Sequence, residues 1–362
     1  MSKNRRNFLK TATVAGAGTL IYGCGDRKGH SAAVHTGEKI EWKMVTAWPP
    51  KFPLLGESAE KFARAVSELS GGRFTIHVYG AGELVPAFES FDAVSQGIAE
   101  LGHSAPYYWA GKIPSVSFFS AVPFGMNTTQ ANSWLMYGGG LELMREVYGS
   151  FNLIPFLIAN TGGQTGGWFN RKIESVQDLK GLKMRIPGLG GRIITKAGAT
   201  TVLSPGAELY TNLERGVIDA LEWVGPYHDY LMGFHKIAKY YYYPGWQEPT
   251  GVIELIVNKQ AYEQLPAEYQ AIIRYASQSL LSDSISEAFI RNQEHYVKLR
   301  DEEKVNILPF PGEVLSFLKE KTAEVIAEIT SSDPFSKKVY QSYIQYQQKF
   351  AEWYSVGERN YL

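Results

Sequence analysis

Strand-like and helix-like segments alternate along this chain from residue 40 onward, and this alternation limits the folds that are open to it. Residues 40–45 alternate apolar and polar side chains, as a half-buried strand does. Residues 57–69 place Ala59, Phe62 and Val66 on one helical face and end before two glycines. The segments that follow are strand-like at 73–79, 98–104 and 153–159, and helical at 86–96 and 129–148. Short connections between such segments predict an α/β lobe with a largely parallel sheet.

The chain has 362 residues, which exceeds what one hydrophobic core usually holds, so two lobes are expected. We predict that residues 40–160 form mainly the first lobe and residues 161–255 mainly the second. Residues 256–362 are mostly helical in pattern and are expected to complete both lobes. The last helix carries aromatic side chains at helical spacing, namely Tyr343, Tyr346, Phe350 and Trp353. Such a surface either packs on the protein's own body or joins two subunits into a homodimer.

The first 24 residues have the features of an export signal rather than of a folded element. Arg5 and Arg6 form a twin-arginine motif, and a mild apolar run follows at 11–22. This run is shorter than the ~20 residues that a membrane-spanning helix needs. We therefore predict a signal peptide over residues 1–24, export by the twin-arginine route and a periplasmic or other extracytoplasmic location.

Cys24, the only cysteine in the chain, follows a segment that is similar to a lipoprotein cleavage site. Lipid attachment at Cys24 and simple cleavage near Ala32 both remain open. Residues 25–39 are polar and are expected to form a tether. Because the lobes contain no cysteine, they hold neither an internal disulfide nor a catalytic thiol.

Charge and motifs exclude several classes of function. Lysine plus arginine and aspartate plus glutamate balance at 36 each, and no dense basic patch indicates a nucleic-acid partner. No Gly-x-Ser-x-Gly segment is present, as a hydrolase of the α/β class would need. The seven histidines are scattered and form no pair at zinc-binding spacing.

Three polar side chains near the ends of predicted strands indicate a site for a carboxylate. Arg185 ends a strand predicted at 182–186, and Gln164 lies in a glycine-rich turn upstream. A planar guanidinium matches a carboxylate better than the ammonium of a lysine does. Glu222 lies near the end of a buried strand predicted at 217–223, where a carboxylate needs a partner such as Arg185, a bound cation or both. A site of this kind binds its ligand without transforming it.

Aromatic residues follow two predicted strands of the first lobe. Trp48 comes after the first strand, and Tyr107, Tyr108 and Trp109 come after the third. In α/β sheets, ligands bind beyond the carboxyl ends of the strands. These side chains either wall a small pocket or belong to the ordinary core and loops.

Four segments carry a resemblance to a known family. They are Gln164-x-Gly166-Gly167-Trp168-Phe169, Gly181-Leu182-Lys183-Met184-Arg185-Ile186-Pro187-Gly188, Glu222-Trp223-Val224-Gly225-Pro226, and the aromatic segment 240–249. In these segments the chain resembles the extracytoplasmic solute-binding proteins of TRAP transporters. It is most similar to the branch that binds 2-oxo or 2-hydroxy acids, such as pyruvate or lactate, together with a metal cation. The resemblance implies a two-lobed periplasmic binding protein fold of the α/β class, with crossing strands and long C-terminal helices that close over the ligand.

The resemblance also implies roles for individual residues on the anion side of the site. Arg185 would pair with the ligand carboxylate, and Tyr107 and Asn160 would lie near the ligand. The protein would be a receptor rather than an enzyme, and it would deliver a small carboxylate to the membrane subunits of the transporter.

On the cation side, the resemblance implies that Gln164, Glu222 and the backbone carbonyl of Trp223 hold the metal. Gln247 or Glu248 would complete the shell or contact the ligand, and both assignments stay open. All these groups are oxygen donors, which favours Ca²⁺ or Na⁺ over zinc or copper.

Two other functions are compatible with parts of this pattern. A metal-independent receptor for a dicarboxylate or sugar acid would use Arg185 alone, but Glu222 would repel a dianion. A secreted lyase or isomerase would use Glu222 as a base and a bound cation as a Lewis acid.

Overall fold

The computed structural model describes residues 39–361, so the predicted signal peptide, Cys24 and most of the predicted tether lie outside the described residues. The strands, numbered in chain order, are β1 Ile40–Thr46, β2 Phe74–Tyr79, β3 Leu101–Ser104, β4 Leu153–Asn160, β5 Gly167–Phe169, β6 Lys183–Arg185, β7 Thr200–Val202, β8 Ala220–Leu221, β9 Tyr240–Tyr243, β10 Val252–Asn258 and β11 Asn306–Pro309. They form two sheets.

The first sheet has the strand order β2-β1-β3-β10-β4. β1 runs parallel to β2 and β3, whereas β10 runs antiparallel to β3 and β4. The prediction of a largely parallel sheet is therefore wrong for this lobe, whose sheet is mixed. The reason is that β10 enters after the chain has passed through the second sheet, so no strand–helix–strand crossover sets its direction relative to β3.

The second sheet has the strand order β11-β9-β5-β8-β6-β7. β6 runs parallel to β7 and to β8, with Arg185 paired to Leu221. β5 runs antiparallel to β8 and β9, and β11 runs parallel to β9. The parallel pair β6 and β8 therefore brings two strand ends side by side.

Two strands cross between regions that the sequence assigns to separate lobes. β10 pairs into the first sheet, although residues up to 255 are predicted to lie mainly in the second lobe. β11 comes from the helical C-terminal region and completes the second sheet. The resemblance implies such crossing strands, whereas the strand–helix alternation does not reveal them.

The helices, also in chain order, are α1 Leu55–Leu69, α2 Ser90–Ser95, α3 Ser117–Ser120, α4 Thr128–Tyr137, α5 Gly140–Gly149, α6 Gly188–Lys196, α7 Leu209–Glu214, α8 Pro226–Leu231, α9 Lys259–Gln264, α10 Ala267–Val297, α11 Gly312–Ser332 and α12 Pro334–Val356. The single helix predicted over 129–148 is in fact two, because the chain breaks at Gly138 and Gly139, and Gly139 has a φ of 90°. Within residues 39–361, no helix combines the length and the apolar character that crossing a membrane requires.

The long C-terminal helices pack on the rest of the molecule. α10 lies against β4, α1 and α8, and α11 lies against α6 and α12. On α12, Tyr343 is buried, packs edge-on against Trp134 at 5.2 Å and accepts a hydrogen bond from the amide of Met126. Near the end of α12, Trp353 is 64% exposed. The aromatic stripe of this helix is therefore internal at its start and exposed at its end.

Candidate ligand-binding site

Arg185 and Glu222 form a buried ion pair at adjacent strand ends. β6 ends at Arg185 and β8 ends one residue before Glu222, so the parallel register brings the two side chains together. Nη1 of Arg185 donates to Oε1 of Glu222 at 2.6 Å and to its backbone carbonyl at 3.0 Å. Both side chains are only 1% exposed. A carboxylate so far from water is tolerated because the guanidinium and other polar groups surround it.

The rest of the Arg185 side chain is held in one orientation. Nε donates to the carbonyl of Ser204 at 3.4 Å, and the guanidinium lies over the ring of Trp223 at 5.2 Å. Nη2 is buried and has no hydrogen-bond partner among residues 39–361. A buried guanidinium nitrogen without an acceptor is costly, so Nη2 is a donor that suits an anionic ligand.

The pKa values of Arg185 and Glu222 show how burial and their mutual contact affect the charge of each side chain. Burial alone would lower the pKa of Arg185, but Glu222 and its neighbours outweigh this effect and raise the pKa, so the guanidinium stays charged. Burial raises the pKa of Glu222 to about 7, with Arg185 acting in the opposite direction. The carboxyl of Glu222 is therefore poorly solvated, and a nearby positive charge would stabilise its ionised form.

Gln164 lies beside this pair with its amide held on one side. Nε2 donates to Oε2 of Glu248 at 3.0 Å and to Oγ1 of Thr161 at 3.1 Å. Oε1 of Gln164 is buried and has no partner in the part of the chain that the structure describes. Burial, and then the charge of Glu222, raise the pKa of Glu248 well above its usual range. Gln164 thus presents an unsatisfied oxygen next to two buried carboxyls.

Gln247 and Glu248 are both buried, and both lie beside the turn that carries Gln164, since Glu248 contacts Gln164 and Gln247 contacts Thr165. Nε2 of Gln247 donates to the carbonyl of Thr165 at 2.9 Å, and its Oε1 has no partner within residues 39–361. Glu248 differs in that one of its oxygens already accepts from Gln164.

A cavity opens in front of Arg185 and is walled by both sheets. Its lining residues come from the turns that follow β1 and β3, from the start of α1, from the glycine-rich turn after β4, from the ends of β6 and β8, and from the start of β10; they are Trp48, Leu55, Tyr107, Tyr108, Thr161, Gln164, Arg185, Trp223, Val224, Gly251 and Ile253. The side chains are apolar on one side and polar around Arg185. Such a lining suits a small molecule with one anionic end.

Tyr107 lines the cavity, as its position after β3 suggests. Burial raises the pKa of its hydroxyl well above the usual range, and Glu248 adds to the effect. The hydroxyl therefore stays protonated and can donate to a ligand oxygen. Of its neighbours, Tyr108 also lines the cavity, whereas Trp109 turns into the core and donates to Glu254 at 2.7 Å.

Asn160 is buried but its side chain is engaged in local structure. Its Nδ2 donates to Asn132 at 3.1 Å, and its Oδ1 accepts from the amide of Gly162 at 2.8 Å and from Thr250 at 2.7 Å. It does not belong to the cavity lining, whereas Thr161, which the sequence did not single out, does. Asn160 shapes the turn that carries Gln164 into the site.

The buried oxygens of this site fit a hard cation. Oε1 of Gln164, Oε2 of Glu222 and Oε1 of Gln247 are all buried without a hydrogen-bond partner among the residues described. Carboxylate and amide oxygens are the ligands that Na⁺ and Ca²⁺ prefer. Within residues 39–361, no cluster of three or more His, Cys, Asp or Glu side chains is arranged to hold a metal. The three oxygens named above come from two amides and one carboxylate, so they do not form a cluster of that kind.

Comparison with known proteins identifies the family. The family model of bacterial extracellular solute-binding proteins, family 7, matches residues 44–333. The chain belongs to this family. Its members are extracytoplasmic receptors for transport and not enzymes, as the sequence predicts.

Three relatives are similar over nearly their whole length. The monocarboxylate 2-oxoacid-binding periplasmic protein of Nostoc sp. is 39% identical over 359 residues, which cover 99% of this chain and 97% of that protein. A TRAP periplasmic solute-binding protein from Pseudoalteromonas atlantica, solved with bound sodium and pyruvate, is 42% identical with a TM-score of 0.86, covering 90% of this chain and 98% of that one. A third, from Colwellia psychrerythraea with bound calcium and pyruvate, is 40% identical with a TM-score of 0.87, covering 90% and 99%. The predicted two-lobed periplasmic binding protein fold is thereby confirmed.

Proposed function

We propose that this protein is the receptor of a TRAP transporter that captures a small 2-oxo or 2-hydroxy monocarboxylate, such as pyruvate or lactate, together with Na⁺ or Ca²⁺. The observation that carries the proposal is the buried Arg185, whose Nη2 lacks an acceptor within residues 39–361, next to three buried oxygens that lack donors. An anionic ligand would accept a hydrogen bond from Nη2, and a cation would be coordinated by the three oxygens. The related proteins from Pseudoalteromonas and Colwellia were solved with pyruvate and a cation bound, sodium in the first and calcium in the second.

On the anion side, Nη2 of Arg185 would donate to the ligand carboxylate while Nη1 stays bound to Glu222. Tyr107 would donate its hydroxyl proton to a second ligand oxygen. Asn160 would act indirectly, since its hydrogen bonds fix the turn that ends at Gln164. The apolar wall of Trp48, Leu55 and Ile253 would exclude water and limit the ligand's length.

On the cation side, Gln164, Glu222, the backbone carbonyl of Trp223 and Glu248 would hold the metal, and Gln247 would contact the ligand or take the place of Glu248. A bound cation supplies positive charge that offsets the ligand carboxylate and the buried carboxyls. Glu222 then acts on both sides of the site, because one of its oxygens holds Arg185 and the other faces the metal. The two ligands are therefore expected to bind cooperatively.

Calorimetric titration tests the proposal directly. Pyruvate, lactate, longer 2-oxo acids and succinate are titrated into protein that has been dialysed against a chelator in sodium-free buffer, and again after Na⁺ or Ca²⁺ is restored. We expect binding of the monocarboxylates only in the presence of a cation. In Arg185→Met the affinity should fall ~30-fold or more, since the buried carboxylate of the ligand loses its charged partner.

Arg192→Met is the matched control, because Arg192 is an exposed arginine on the neighbouring helix α6 and is 50% exposed. Its affinity for pyruvate should equal that of the wild type. Thermal unfolding of each variant separates lost binding from lost folding. Binding that persists in folded Arg185→Met, or that ignores cation removal, contradicts the mechanism, and tight binding of succinate without a cation would favour a dicarboxylate receptor.

We also propose that the chain is exported by the twin-arginine route and that its C-terminal helix contributes to a homodimer. The motif at Arg5 and Arg6 supports the first proposal, and the exposed Trp353 and Val356 at the end of α12 support the second. Sedimentation of the wild type and of Trp353→Ser measures the oligomeric state. Mass spectrometry of the mature chain shows whether Cys24 carries a lipid or has been removed.

A further inference from the structure

The hydroxyl of Thr161 lies behind the amide of Gln164 and has all its hydrogen-bonding capacity in use. Oγ1 accepts from Nε2 of Gln164 at 3.1 Å and from the backbone amide of Gly251 at 2.9 Å. Its proton is directed to the carbonyl of Gly162 at 3.2 Å. Because a hydroxyl has one proton and two lone pairs, Thr161 can act toward Gln164 only as an acceptor.

This matters because the two ends of a glutamine amide have nearly the same shape but opposite chemistry. If the amide turned by half a revolution, its oxygen would face the Thr161 oxygen, whose proton is directed elsewhere, and its NH₂ group would face the cavity. In the observed orientation, the NH₂ group donates to Thr161 and Glu248, and Oε1 is left pointing away from both with no partner among residues 39–361. Only this orientation offers an oxygen to a cation.

Thr161 is itself fixed by the backbone. Its amide donates to the carbonyl of Gly251 at 2.9 Å, while the amide of Gly251 donates back to its hydroxyl. The pair continues the ladder between β4 and β10, in which Asn160 lies opposite Val252. Thr161 is 2% exposed, so water does not compete for the hydroxyl.

Gly251 makes room for this arrangement. A Cβ atom at position 251 would lie 2.6 Å from Nε2 of Gln164 and 3.0 Å from Oγ1 of Thr161. Any side chain there would push the amide away from the hydroxyl. The absence of a side chain at 251 and the hydroxyl at 161 thus serve the same contact.

We propose that Thr161 is a positioning residue that holds the Gln164 amide with its oxygen toward the cation. The inference rests on the proposed function, since it assigns a task to Thr161 within the cation half of that site. Thr161 acts through Gln164, and its loss should weaken the cation more than the carboxylate. Partners that orient a metal ligand from behind typically change metal affinity ~10–100-fold when they are removed.

The test compares Thr161→Val, which keeps the shape and removes the hydroxyl, with Thr161→Ser, which keeps the hydroxyl. Affinity for Na⁺ and Ca²⁺ is measured by titration calorimetry with pyruvate held in excess, and thermal unfolding is measured without cation. We expect Thr161→Val to bind the cation ~10–100-fold more weakly and Thr161→Ser to stay within about threefold of the wild type. Thr322→Val is the control, because Thr322 is a buried threonine on α11 whose hydroxyl donates only to the carbonyl of Leu318.

A double variant separates positioning from general loss of folding. In a Gln164→Leu background, Thr161→Val should cause little further loss of cation affinity, because the group that it positions is gone. The inference is overturned if Thr161→Val binds the cation as the wild type does, if Thr161→Ser is as weak as Thr161→Val, or if the two losses simply add. A wild-type protein that binds no cation would instead overturn the proposed function, and this inference with it.

Discussion

At the scale of single residues, Glu254 is a buried carboxyl group with no cationic side chain beside it among residues 39–361. It lies on β10 and accepts hydrogen bonds from Nε1 of Trp109 and from the hydroxyl of Tyr148, each at 2.7 Å. Burial raises the pKa of Glu254 from 4.5 to about 8. A neutral carboxyl is therefore the form that the folded protein stabilises.

This shift predicts how the stability of the protein depends on pH. Because the pKa of Glu254 is higher in the folded than in the unfolded chain, its contribution to the free energy of unfolding is complete below about pH 4.5 and is lost as the pH rises through about 8. Each unit of pKa difference is worth roughly 1.4 kcal/mol. We expect the unfolding free energy, measured with urea from pH 5 to 9, to decline more steeply in the wild type than in Glu254→Gln. Equal slopes in the two proteins would contradict this assignment.

The control for that measurement is Glu268→Gln, since Glu268 is an exposed carboxylate that pairs with Arg73 at the surface. Surface pairs of this kind contribute little to stability. Glu268→Gln should therefore keep the wild-type slope. Asp229, whose pKa burial raises to about 6, remains in both variants and should produce a shared decline at lower pH.

At the scale of elements, the sequence predicts where some strands end but not which strands pair with each other. Arg185 and Glu222 could be placed near strand ends because they lie in the strand-like segments predicted at 182–186 and 217–223. The strand predicted over 217–223 shrinks to Ala220–Leu221, because apolar pattern alone does not distinguish a paired residue from a buried turn. Thr161 was missed for a related reason. Its hydroxyl is held in place by a hydrogen bond from Gly251, which is 90 residues away in the chain.

The break between α4 and α5 is an element-scale feature that glycine makes possible. Gly139 has a φ of 90°, and a Cβ atom there would meet no heavy atom of residues 39–361 within 4 Å, so the penalty for a side chain is backbone strain. We expect Gly139→Ala to lower the unfolding free energy by about 1 kcal/mol, since the left-handed conformation costs other residues roughly 1–2 kcal/mol. Urea unfolding at fixed pH measures the change.

Gly149→Ala is the matched control for that substitution. Gly149 ends α5, and a Cβ atom there would also meet no heavy atom within 4 Å in the described part of the chain, but its backbone is helical. Alanine is favoured over glycine in a helix, so this variant should be slightly more stable than the wild type, by about 0.5 kcal/mol. If both alanine variants shift in the same direction, strain at Gly139 is not the cause of the break.

At the scale of the whole molecule, the site joins the two sheets. Trp48 and Tyr107 follow strands of the first sheet and Leu55 begins α1, which packs on that sheet, whereas Arg185 and Trp223 come from the second sheet. Arg185 and Trp223 are buried, so we expect a ligand held between these walls to leave only when they separate. Contacts that bridge the walls without touching the ligand should therefore control the rate of its release.

Phe52 makes such a contact. It lies in the turn after β1, and its ring packs edge-on against the ring of Trp223 at 5.7 Å, while Trp223 in turn lies against the guanidinium of Arg185. An aromatic pair contributes about 0.5–1.5 kcal/mol beyond its buried area.

We expect Phe52→Ala to release pyruvate roughly 2- to 10-fold faster than the wild type, as measured by stopped-flow tryptophan fluorescence with the cation at saturation. The association rate should change less, because substitutions at a binding site usually alter the dissociation rate more than the association rate. Phe289→Ala, which removes an aromatic ring that is 61% exposed on α10, should leave both rates unchanged. A dissociation rate that stays at the wild-type value in Phe52→Ala would mean that the two walls are held together elsewhere.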